Sequence, residues 1–112
     1  MKKIDAIVRT SRFDDIVNRL RLIGVTGMTI GEVYGISAGT TGDRVSHGQR
    51  MQLRSAPRYQ LMVVVRDEDA AQVVNAIVHS GRTDAPGDGL VTVGDVIGAM
   101  RIRTGETNVD AL

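Results

Sequence analysis

A chain of 112 residues, 42% hydrophobic and 24% charged, is long enough for one domain with a modest core and too apolar to stay disordered. A formal net charge of +1 gives no electrostatic reason to expect nucleic acid, and 3% aromatic content leaves no stacking platform for single strands. The absence of cysteine excludes disulfide scaffolds and cysteine metal sites, and fits a reducing compartment. Lys2 and Lys3 open the chain like a secretory leader, but Asp5 and Arg9 interrupt the apolar run that a leader needs. No run of about 18 apolar residues follows either, so the expected protein is cytoplasmic and does not insert into a membrane.

The first element, KKIDAIVR, sets Ile4, Ala6 and Val8 on one face against Lys3, Asp5 and Arg9 on the other and predicts a strand, with Ile7 breaking the alternation. SRFDDIVNRLRLIG predicts a helix. Ser11 with Asp14 three residues on has the form of a capping box; Phe13, Ile16, Leu20 and Ile23 recur at helical spacing, and Gly24 closes the run. VTGMTIGEVYGI is rich in β-branched residues and predicts a second strand. Residues 37–57 carry three glycines and no clear periodicity, the profile of a long functional loop. YQLMVVV predicts a third strand. DEDAAQVVNAIVHSG predicts a second helix, with three acids at its positive end, a buried stripe of Val73, Val74, Ile77 and Val78, and Gly81 at its stop. LVTVGDVI predicts the last main strand, and MRIRTGETNVDAL a polar tail beginning as a short strand. The order β-α-β-β-α-β predicts an α+β domain of ferredoxin-like form with both helices on one sheet face. Leu61, Val63 and Val65 then point one way and Met62 and Val64 the other. Two helices cover one face only, so a second subunit is expected over the rest.

TDAPGDGLVTVGD, residues 83 to 95, has two ways to be read. Gly87 and Gly89 let backbone N–H groups approach an anion closely, with Asp88 between them, or the stretch is a plain turn before a strand. It contains no basic residue. Arg101 and Arg103, at i and i+2 of an extended segment, project to one side. They are either solvated or drawn together by an anion, which guanidinium groups suit bidentately.

Several stretches taken in order and at their spacing carry a family likeness: MKKIDAIV at the start, GVTGMTIGEVYG at 24–35, GDG at 87–89 and RIRTGE at 101–106. The whole chain resembles the PII signal-transduction family. The resemblance implies a homotrimer of ferredoxin-like subunits, a T-loop at 37–57, a B-loop at 82–90 and a C-terminal segment at 102–112. It implies an adenine nucleotide in each cleft between subunits and a T-loop that docks on a target protein, a transporter or an enzyme. The family is not primarily catalytic. By position, Ile7, Gly27, Met28, Thr29, Gly35 and Val64 would line the adenine and ribose, while Gly87, Asp88, Gly89, Arg101 and Arg103 would hold the phosphates.

Departures from the family pattern sharpen these expectations. Lysines that the family carries in the B-loop are here Ala85 and Leu90, so ADP or AMP is expected to be favoured over ATP, whose terminal charge has fewest partners. Met51 replaces a modifiable tyrosine, leaving Ser46 and Ser55 as loop hydroxyls. The 2-oxoglutarate site retains Arg58 where the family has lysine but has Gly39 in place of a glutamine. An effector other than 2-oxoglutarate is therefore expected, with bicarbonate the candidate by likeness to carboxysome and inorganic-carbon members. Arg44, Arg50 and Arg54 outnumber Asp43 in the T-loop and suit an acidic partner surface, or are simply solvated. His47 and His79 are 32 positions apart, so no metal site is expected. The alternatives are a conventional nitrogen-regulatory PII responding to ATP and 2-oxoglutarate, a slow nucleotide phosphatase using Asp88 as base with Asp95 structural, and a structural or metal-binding trimer of the same fold.

Overall fold

The computed structural model describes residues 1–35 and 56–112. Six main elements follow in order: β1 (Lys2–Arg9), α1 (Phe13–Leu22), β2 (Thr29–Gly35), β3 (Ala56–Val65), α2 (Ala70–Gly81) and β4 (Gly89–Asp95). The strands form one antiparallel sheet in the order β2-β3-β1-β4. This is the expected ferredoxin-like arrangement, in which each helix carries the chain past an intervening strand. Residues 36–55, with Gly39, Asp43, Arg44, Ser46, His47, Arg50, Met51, Arg54 and Ser55, lie outside the described residues. Ala56 and Pro57, expected in the long loop, already belong to β3.

The alternation in β1 builds the core. Ile4, Ala6 and Val8 are buried, and opposite them on β3 so are Leu61 and Val63. Ile16 and Leu20 of α1 and Val73, Ala76 and Ile77 of α2 close the same cluster from above. The stripe on α2 departs from expectation at one valine. Val73 and Ile77 are buried as expected and Val74 packs against the core, but Val78 is 37% exposed and Ala70 and Ala76 complete the buried face. Gly81 is the last residue of α2 and is buried; an added Cβ would lie 3.3 Å from Ile16 Cδ1, so the glycine keeps the two helices close. Arg12 fastens the pair by donating from Nε to the carbonyl of Ser80 at 2.9 Å.

Helix α1 begins differently from the sequence reading. Thr10–Arg12 form a 3-10 turn, Arg12 occupies the cap position, and no side-chain cap hydrogen bond forms. Ser11 is inside that turn and so does not act as the cap. The far end follows expectation. Gly24 takes φ +98°, its N–H donates to Arg21 O, and the N–H of Val25 donates to Leu20 O, the paired bonds of a Schellman close.

The second face of the sheet is less aliphatic than β3 alone suggests. Ile7, Met62 and Val64 are half-buried there, while Gln60 donates to the Asp5 carboxylate at 2.9 Å beside them. Apolar exposure is instead greatest in the segment after β4, where Ile97 and Ile102 are fully exposed and Met100 is 67% exposed. We expect Leu61→Ala, at a fully buried position, to lower unfolding stability by about 3 kcal/mol in urea titration, against less than about 0.5 kcal/mol for Leu22→Ala on the open side of α1.

Candidate functional site

The loop between α2 and β4 is organised around one carboxylate. Asp88 accepts from the backbone N–H groups of Thr83 at 2.8 Å and Asp84 at 3.0 Å, and from the Thr83 hydroxyl. Arg9 Nε donates to its other flank at 2.9 Å. The Thr83 hydroxyl, the Arg9 guanidinium and these backbone amides hold the Asp88 carboxyl well below the usual carboxylate range. Asp84 itself takes φ +65°, a left-handed conformation that an aspartate tolerates better than most residues.

Gly87 and Gly89 are required by this geometry. Gly87 has φ +96°, and a Cβ there would lie 3.3 Å from both Arg9 Nη2 and Arg58 Nη2. Gly89 has φ +107°, and its Cβ would fall 2.9 Å from the Ile7 carbonyl carbon and closer still to the oxygen. The glycines therefore serve a close approach of loop to strand β1.

Arg82 at the start of the loop pairs with Asp84 at 3.7 Å, and the further positive charge against the loop comes from the sheet. Arg9 and Arg58 stand directly opposite each other in the β1–β3 ladder. Arg9 Nη2 donates to Pro86 O at 2.6 Å, and Arg58 Nη2 to Gly87 O at 3.4 Å. Like charges facing across a ladder destabilise it unless something offsets them. Asp88 offsets Arg9; among the described residues Arg58 bonds only the carbonyls of Pro57 and Gly87. The sequence reading misses Arg9, which looks there like one more polar residue on a strand face.

The other expected phosphate ligands lie elsewhere. Residues 101–104 form a turn, with Gly105 N–H donating to Arg101 O and Arg101 N–H to Glu106 O, both at 2.8 Å. The segment is not extended, so the i, i+2 argument for Arg101 and Arg103 fails. The cause is Gly105 at φ +75°, which turns the chain back so that Met100 bridges Thr107. Arg101 Nη2 donates to Ala111 O at 2.8 Å.

Six of the eleven expected nucleotide residues line one or other of two cavities, and Met28, Thr29, Gly35, Gly87 and Arg103 line neither. A cavity of about 460 Å³ is lined by Gly27, Val64 and Arg101, with Val25, Val109 and Leu112. Met28 and Thr29 follow Gly27 in the chain, with Thr29 opening β2. A second cavity of about 260 Å³ is lined by Ile7, Asp88 and Gly89, with Leu90 and Val78. The register explains the division: Val64 pairs with Lys3, whereas Ile7 pairs with Gln60. Four residues of strand, or about 13 Å, separate the two positions along the ladder. Gly35, paired with Ala56, ends β2 towards the Ile7 side. Among the described residues no cluster of three or more metal-ligating side chains forms, and no helix is long and apolar enough to cross a membrane.

The chain is thus an α+β domain with a glycine-shaped loop braced by arginines near one end of its central ladder and a second cleft towards the other. A sequence profile described as Nitrogen regulatory protein P-II matches residues 1–106. The chain is 38% identical to the Nitrogen regulatory protein P-II of Pasteurella multocida and 39% identical to that of Haemophilus influenzae. It is 35% identical to Nitrogen regulatory protein P-II 1 of Escherichia coli K12, and each alignment spans the whole of both chains. The chain belongs to the P-II family of nitrogen regulatory, signal-transduction proteins.

Two outcomes test the loop. Gly89→Ala is expected to destabilise the protein by about 2 kcal/mol or more, read from urea unfolding, since both its φ and its contact with Ile7 forbid a side chain. The Asp88 carboxyl is ionised more readily folded than unfolded, so its contribution is present above about pH 4 and is lost as pH falls through the lower folded value. Urea midpoints of the wild type and Asp88→Asn should accordingly differ at pH 6 and converge towards pH 2.

Proposed function

We propose that this P-II protein is a non-catalytic regulator that binds an adenine nucleotide between copies of itself, favours ADP or AMP over ATP, and controls a target protein, such as a transporter or an enzyme, through residues 37–57. The observation that carries this reading is the division of the candidate nucleotide residues between two cavities on one chain. A nucleotide that touches both Arg101 and the Gly87–Gly89 loop needs the first cleft of one copy and the second of another. Two different patches that must meet form a head-to-tail contact, which closes as a ring and not as a two-fold dimer. A homotrimer satisfies that condition, and an assembly of copies gives Ile97 and Ile102, fully exposed on one chain, a surface to pack against.

The preference for fewer phosphates follows from charge. Ala85 and Leu90 place no cation on the loop; Leu90 is 67% exposed and lines the second cavity. Arg9 is already engaged by Asp88, which leaves Arg58, Arg82, Arg101 and Arg103 to meet the phosphates and any second effector. Arg58, with the Gly87 carbonyl beside it, suits a small anion such as a carboxylate or bicarbonate. The relatives named above are nitrogen regulatory proteins, which weighs towards a nitrogen signal and against an inorganic-carbon or carboxysome role. The phosphatase alternative is disfavoured because a carboxyl held well below its usual range is a weak base, and Asp95 is paired with Lys2.

Calorimetric titration with ATP, ADP and AMP tests the reading. The expected result is ADP or AMP bound at least as tightly as ATP. In Ala85→Lys/Leu90→Lys the ATP affinity should rise by about tenfold or more, because a cation about 4 Å from phosphate is worth several kcal/mol before screening. A wild-type constant much tighter for ATP than for ADP contradicts the preference.

A further inference from the structure

We propose that Arg9 is a positioning residue for the anion-binding loop, fixing residues 83–89 from outside so that the loop is set before any ligand arrives. The proposal rests on the nucleotide reading above for its functional consequence, but its geometry stands alone.

One rigid guanidinium plane makes two contacts from β1. Nε donates to the Asp88 carboxylate at 2.9 Å and Nη2 to the Pro86 carbonyl at 2.6 Å, so Arg9 spans residues 86–88 and brackets Gly87. Asp88 then carries the constraint onward, since its second oxygen accepts from Thr83 and Asp84 at the loop's start. The beginning of the loop, its end and the central sheet are thus joined through a single ion pair. Arg9 and Asp88 are both about three-quarters shielded from water, with side-chain exposures of 24% and 26%, so the pair is less screened than an ordinary surface bridge. Only a forked cation makes both contacts together; a lysine ammonium is a point charge on a flexible stem. Gly87 fits the same scheme, because Arg9 Nη2 occupies the space beside its missing Cβ at 3.3 Å. A loop with no lysine of its own has its backbone held in shape by this brace, and a preset loop loses less entropy on binding.

The test compares wild type, Arg9→Lys, Arg9→Leu, Asp88→Asn and Arg9→Leu/Asp88→Asn. Amide hydrogen exchange without nucleotide should be about tenfold faster across 83–89 in Arg9→Leu and intermediate in Arg9→Lys, with the core of β1 and β3 unchanged. Affinity for ADP should fall about tenfold in Arg9→Leu, and by a similar factor for AMP and ATP, with partial recovery in Arg9→Lys. The double variant should lose less than the sum of the two single variants, because both changes break the shared Arg9–Asp88 pair. Unchanged exchange in Arg9→Leu overturns the proposal. So does a loss that grows steeply from AMP to ATP, which would mean that the guanidinium touches the phosphates directly. If the wild type binds none of the three nucleotides, the nucleotide reading fails, and the exchange comparison still decides whether Arg9 braces the loop.

Discussion

The β1–β3 ladder fixes everything else. Its register sets Ile4 against Val63 and Ala6 against Leu61, which builds the core on one face. The same register sets Arg9 against Arg58 at the ladder's end. Two facing guanidiniums are unfavourable, and the loop before β4 is what offsets them, with one carboxylate and two carbonyls turned towards them. Core and site are therefore two consequences of one pairing. A slip by one residue would move Ile4, Ala6 and Val8 out of the core and would also separate the arginines from the loop.

Much of the fold is legible in the sequence because its signals are local. Alternation in β1, helical spacing of Ile16 and Leu20, and the glycines at 24 and 81 each act within a few residues of themselves. The stripe on α2 departs from expectation at Val78, because a valine count favours that position while the core instead takes the small side chains of Ala70 and Ala76 beside Val73, Val74 and Ile77. The cap expected at Ser11 does not form because the chain tightens into a 3-10 turn there, and that choice depends on where β1 delivers the chain.

The candidate site is legible in its glycines and not in its charges. A left-handed glycine betrays itself in sequence next to an acid and a strand. A cation that acts across 79 positions, as Arg9 does on Asp88, betrays nothing until strand pairing is known. Arg101 and Arg103 show the opposite error. Their spacing invites an extended-strand argument, yet Gly105, just beyond Arg103 and Thr104, folds the segment into a turn. Side-chain direction inferred from period two holds only where the backbone is extended.

The separation of the two cavities has a consequence for how such a protein responds to its ligand. In the proposed reading each cleft alone offers part of the site: Gly27, Val64 and Arg101 in one, and the shaped backbone loop before β4 at the other. Where a ligand needs both, binding and association are linked, and the ligand stabilises the assembly by its differential affinity for the joined state. The brace from Arg9 acts on one half of that site within a single chain. It sets the loop within the chain itself, with Arg9 and Arg58 of the central ladder supplying both shape and charge there. This arrangement also explains why a loop without lysine remains serviceable: shape is supplied locally by Asp88 and two glycines, and the compensating cations reach it from other segments of structure.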